Sequence, residues 1–260
     1  MSDSLRGDCA RPLLGSVNSD QVLRKPAGSH GQSFRLKRGA LLTFALLLAL
    51  VSPAPGAPII SCHCFQDRSF DPAEPRRVEP YLLATTRNSF LAVAFGQSKK
   101  EIVRLRMAGT AGEDLWVAYY LAAKIKVPAG ELLQSRNKTD SWLNVLAARG
   151  IDPGQIGPFF GNVLAAGGND QALADAAADE TLGIVAGVAP GDLIKFRERG
   201  ADTGEIILAL LIAQRIGRPA LDLHAEVQAG RATWGGLLDS VGIQPAEMEW
   251  ALRTLQRQGG

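Results

Sequence analysis

The stretch DLIKFRERGADTGEIILALLIAQRIGRPALDLHAEVQAGRATWGGLLDSVGIQP, residues 192–245, has a diverged counterpart in EIVRLRMAGTAGEDLWVAYYLAAKIKVPAGELLQSRNKTDSWLNVLAARGIDP, residues 101–153. Gly200 falls on Gly109, 91 positions earlier, and the six residues from Asp192 pair like for like with the six from Glu101. The same offset sets Ile206 on Leu115, Ala209 on Ala118, Ile216 on Ile125 and Pro219 on Pro128. After one inserted residue, Trp234, Leu237, Leu238, Gly242, Ile243 and Pro245 meet Trp142, Val145, Leu146, Gly150, Ile151 and Pro153. Helical periodicity alone would align apolar positions but not the turn-forming Gly and Pro, so the pattern predicts a repeated supersecondary unit.

Each copy reads as a set of short helices cut by that punctuation. Glu205 to Ile216 is apolar nearly all round, which predicts the most buried helix of its unit. In the first copy Trp116, Tyr119 and Tyr120 stand where the second has Ile207, Leu210 and Leu211. Larger rings predict different packing there, and the tyrosine hydroxyls need partners or water. The resulting expectation is an all-α fold of two tandem pseudo-equivalent multi-helix units packed together, after a cleaved signal peptide.

The segments Gly204-Glu-Ile, Gly217-Arg-Pro and Gly230-Arg-Ala-Thr-Trp-Gly, with Leu238 to Gly242, resemble a helical repeat of uncharacterised secreted bacterial proteins. In the first copy Gly130 is displaced and Lys138-Thr-Asp-Ser precedes Trp142. The resemblance covers the two repeats and implies an all-helical envelope protein with no activity to carry across.

The chain has 260 residues, 46% of them hydrophobic and 6% aromatic, which suffices for a sizeable core. Arg35, Lys37 and Arg38 precede the apolar run Ala40 to Val51, and Ser52-Pro-Ala-Pro-Gly-Ala follows with small residues suited to cleavage. Twelve helical residues reach about 18 Å, short of a bilayer core of about 30 Å. The run therefore reads as a signal peptide cut after Gly56 or Ala57, leaving no transmembrane span and a periplasmic or secreted protein.

Residues 1–34 read as a disordered leader or a start assigned too far upstream, because no methionine lies between Met1 and Met107. The expected order is then signal peptide 35–57, extended segment 58–79, first unit 80–157, connecting helices 158–178 and second unit 179–260. Residues 1–57 carry seven Lys or Arg against three Asp, which leaves 21 basic and 23 acidic residues beyond them. A nearly neutral mature chain with no basic stripe argues against nucleic acid as a partner.

Two features carry candidate chemistry. Cys62, His63 and Cys64 follow the cleavage region and read as a tether, a strained disulfide pair or soft-metal ligands for zinc or copper. Trp142 and Trp234 recur in register, as core anchors or as a possible ligand platform. No Gly-x-Ser-x-Gly, His-Glu-x-x-His or Walker loop occurs and histidine is scarce, so a carboxylate-based glycosidase is the enzyme class left open. The sequence thus supports a non-enzymatic helical binding or scaffolding module holding an envelope protein or polymer between its two units. The alternative is a redox or metal-handling protein acting through Cys62, His63 and Cys64.

Overall fold

The computed structural model describes Phe65 and residues 68–256, all inside the unit Pro58–Gly260. Residues 35–57, read as a signal peptide, and Cys62, His63 and Cys64 lie outside the described residues. Every regular element among the described residues is helical, and no helix among them is long and apolar enough to cross a membrane. The chain is all-α.

The helices are α1 (Glu79–Ala94), α2 (Lys99–Met107), α3 (Gly112–Ile125), α4 (Ala129–Arg136), α5 (Trp142–Ala148) and α6 (Pro158–Ala165). They continue as α7 (Asp170–Ala186), α8 (Pro190–Glu198), α9 (Thr203–Ile216), α10 (Ala220–Gln228), α11 (Trp234–Ser240) and α12 (Met248–Gln256). Short 3-10 turns at Pro153–Gln155 and Pro245–Glu247 precede α6 and α12. Lengths therefore run through the same order twice: a long helix, then helices of nine and fourteen residues, then three short ones.

Local chemistry sets these boundaries. Asp202 caps α9 by accepting the Gly204 and Glu205 N–H groups, and Glu205 reaches back to the Asp202 N–H, so two otherwise unpaired donors are satisfied reciprocally. Ser141 and Thr233 cap α5 and α11 at matched positions, each hydroxyl accepting one N–H, from Asn144 and Gly236. Glycines at positive φ end α8 and α11 at Gly200 and Gly242.

Two segments differ from the sequence reading. Residues 71–78 form successive turns where an extended strand of chain was expected, because Asp71 accepts the Ala73 N–H and Glu74 and Arg77 then fold back on the preceding carbonyls. The residues read as a connector, 158–178, divide between α6 and the first half of α7, so position 178 falls within one continuous helix. Asn169 caps that helix, and its Ala-rich run meets no Gly until Gly183.

The long helices exchange places. α1 packs along α9 and α12 and touches α11, whereas α7 packs along α3 and α6. Helices α2–α6 are thus closed by α7, and α8–α12 are closed by α1. Glycine permits the second closure: a Cβ on Gly235 would sit 2.7 Å from the Phe70 ring and 2.9 Å from Val78 Cγ1. The first unit has Leu143 at that place. One continuous core runs through both units, with Trp142, Phe160, Phe196 and Trp234 among its largest side chains.

Candidate functional site

Trp142 and Trp234 are 0% and 1% exposed, so neither ring offers a face to a ligand in this structure. They anchor α5 and α11, and in each case the opposite long helix holds the indole residue's backbone. The Trp142 N–H donates to Asp170 Oδ1 at 2.8 Å, and the Trp234 N–H donates to Glu79 Oε1 at 3.1 Å. Asp170 and Glu79 open α7 and α1, 91 positions apart.

Around these shared bonds the two units differ. In the first, the Trp142 Nε1–H donates to Asp114 Oδ1 at 2.8 Å and Arg136 Nη2 donates to Asp170 Oδ2 at 2.7 Å. Arg136 Nε also lies 3.2 Å from Asp114 Oδ1, without hydrogen-bond alignment, so one guanidinium neutralises both acids. In the second unit Val227 occupies the place of Arg136. Glu205 serves the capping box and accepts from Gln228 Nε2 at 3.3 Å, which leaves the buried Trp234 Nε1–H without a partner.

His224 is fully buried there, edge-on to Phe196 with ring centroids 5.7 Å apart, and its Nε2 is 3.7 Å from Glu205 Oε2. Burial raises the Glu79 carboxyl above its ordinary value; the Trp234 N–H and Arg76 oppose that shift and Glu205 adds to it. Both clusters staple helices and present no open reactive group. Among the described residues no three His, Cys, Asp or Glu side chains converge as metal ligands.

A surface that can hold a molecule lies elsewhere, inside the first unit and not between the two. It is a groove of about 950 Å³, a volume ordinary for a small-ligand site. Ala94 and Phe95 at the end of α1 form one side, and Glu101, Arg104 and Leu105 of α2 another. Tyr119, Ala122 and Ala123 of α3 form the floor, and Lys126, Leu133, Gln134 and Asn137 close it toward α4.

Phe95 and Tyr119 stack with ring centroids 6.1 Å apart and planes 21° from parallel. Tyr119 is 8% exposed, and its hydroxyl makes no hydrogen bond among the described residues. Its neighbour Tyr120 turns the other way and donates to the Ile156 carbonyl at 2.8 Å. Burial, with Glu101 adding to it and Arg104 opposing, pushes the Tyr119 hydroxyl above its usual value, so it stays protonated and able to donate.

Lys126 ends α3 with φ 56° and ψ 36°, the only non-glycine at positive φ among the described residues. The matched position of the second unit is Gly217, at φ 70°. Left-handed backbone costs an L residue about 1 kcal/mol or more, so a lysine there is a departure from the cheaper residue.

The groove's distinguishing side chains belong to one unit only. Phe95, Tyr119 and Lys126 correspond to Ala186, Leu210 and Gly217, while the surface pair Glu101–Arg104 persists as Asp192–Lys195. Sequence comparison of the copies exposes the tyrosine substitution; the Phe95 stack and the lysine in a glycine conformation emerge only in three dimensions. Comparison with protein-family models, with curated proteins and with solved structures finds no match for this chain.

Proposed function

We propose that this chain is a non-enzymatic, exported protein built on a duplicated helical module, and that it works as a binding or scaffolding element of the cell envelope. Its second unit supplies a plain version of the module and its first unit carries the binding surface. The observation that supports this reading is the groove between α1, α2, α3 and α4, with its stacked Phe95–Tyr119 floor absent from the matched positions of the other unit. A half-open groove with aromatic faces and a few polar groups suits holding a partner. Signal-peptide-like residues 35–57 and the resemblance of the repeats to secreted proteins support the location.

A photo-reactive amino acid placed at Gln134, in the groove, tests the function in the native cell. It is expected to form a defined adduct in the envelope fraction that is lost when Tyr119 becomes Ala, while the same probe at the matched Ala225 forms none. Equal labelling from both positions refutes the reading. Terminal sequencing of the mature chain, expected to begin at Ala57 or Pro58, tests export.

A further inference from the structure

We infer that the groove takes an organic anion, a carboxylate carried on a flat apolar body. This rests on the reading of the groove as a binding surface and adds the class of molecule it selects.

Charge is the first argument. Three ionisable side chains of formal charge line the groove: Glu101, Arg104 and Lys126. Glu101 and Arg104 satisfy each other, with Arg104 Nε donating at 2.8 Å and Nη2 at 2.5 Å. The pair holds the Glu101 carboxyl below its ordinary value, so it stays ionised and its charge is cancelled locally. Lys126 has no acidic partner among the described residues, so the groove keeps one net positive charge.

Backbone conformation is the second and independent argument. Glycine would relieve the left-handed turn at position 126, as Gly217 does in the other unit, and a Cβ at Gly217 would touch nothing within 4 Å. At the matched turn of the second unit, then, packing does not call for a side chain. A strained residue that lines a groove marks a place where its side chain acts on something outside the fold.

Hydrogen-bonding capacity is the third. The Tyr119 ring is more than nine-tenths buried and its hydroxyl has no partner among the described residues, so it presents a proton to whatever enters. A carboxylate oxygen can accept from that hydroxyl, and the sign of the charge is then selected by Lys126. Half-buried Phe95 and the exposed edge of Tyr119 give the groove an aromatic lining, against which a ring or planar chain buries area. Ammonium, free donor and aromatic floor together describe an amphiphilic acid.

Solution NMR of the full chain with labelled Phe and Tyr tests this, using three probes of one shape: phenylacetate, neutral phenylacetamide and cationic phenethylammonium. Phenylacetate is expected to shift the Phe95 and Tyr119 ring signals and to bind about two- to fivefold more tightly than the amide, the scale of one exposed ion pair. Phenethylammonium is expected to bind least, and the preference for the acid should shrink in high salt. Lys126→Met keeps a side chain in the left-handed turn and should abolish the acid–amide difference, while Lys126→Arg should keep it. Equal binding of acid and amide, unchanged in Lys126→Met, overturns the anion inference and leaves the groove standing as a neutral site. If none of the three probes moves the ring signals, the groove is not a binding surface for such molecules and both readings fall.

Discussion

Exchanging the residues that end α3 and α9 should change stability in opposite directions. Lys126→Gly removes the cost of holding a side-chain-bearing residue at φ 56°, and Gly217→Lys imposes that cost at φ 70°. The conformational penalty is about 1–2 kcal/mol, and the greater freedom of glycine in the unfolded chain offsets part of it. A net gain of about 1 kcal/mol follows for Lys126→Gly, with a loss of similar size for Gly217→Lys.

Nothing lies within 4 Å of a Cβ built on Gly217, so no clash enlarges the second value. For a folded domain of this size, about 1 kcal/mol moves the melting temperature by about 2–4 °C. Urea midpoints and thermal melts of the two single variants and the double variant measure this directly, and the double variant should return close to the starting stability. A Lys126→Gly variant that melts at or below the parent temperature refutes the reasoning. A stabilised variant that also loses the preference for an acidic probe would show that the groove retains lysine at the expense of stability.

Three further predictions follow from the staples and the N-terminal motif. Asp170→Ala removes the acceptor of the Trp142 N–H and the Arg136 ion pair, and should cost about 2 kcal/mol; Glu79→Ala loses one hydrogen bond but frees a half-buried charge, and should cost less than about 1 kcal/mol at neutral pH. Chemical denaturation ranks the two, and a larger loss for Glu79→Ala contradicts the description of the clusters. Because burial raises the Glu79 carboxyl in the folded chain, its contribution is fully present below its unfolded pKa and is lost as pH rises through the folded value. Glu79→Gln should therefore be more stable relative to the parent at pH about 8 than at pH about 4, and a pH-independent difference counts against a desolvated carboxylate. Changing Cys62 and Cys64 together to Ser should leave groove binding and helicity intact, checked by circular dichroism and the probe titration; loss of binding with helicity retained would favour the redox or metal reading.

The alternation of apolar runs with Gly and Pro made the helices legible, and the fixed offset between the copies made their order legible too. What it could not convey is which helix closes which unit. Self-similarity says that α1 and α7 are equivalent, and it is silent on their exchange. The bonds that record the exchange join residues 28 and 155 positions apart, beyond the reach of any local pattern. The expected boundary at 178 falls inside α7 because the helix is buried on several sides there, Asp179 and Glu180 included, so it lacks the polar stripe that marks a surface helix. Of the groove, the replacement of Leu210 by Tyr119 could be read by eye, along with the need of its hydroxyl for a partner. That Tyr120 would find Ile156 and Tyr119 would find nothing depends on how the helices cross.

The closing of the C-terminal helices by α1 has a consequence for the order of events during synthesis. Helices α2 to α7 form a complete set as soon as Ala186 has been made, whereas α1, the first helix among the described residues, meets α9 and α12 only once the C-terminal residues have been made. Over that interval the face of α1 that meets α9, α11 and α12 stays uncovered by those neighbours, while Phe90 already packs against Trp116 of α3. Contacts between the two extremes of a sequence form slowly because the intervening loop must first be closed. A truncation that removes α1 should therefore damage the far end of the molecule more than the near one, and in the nascent chain the face of α1 that meets α9 and α12 stays open until α12 arrives.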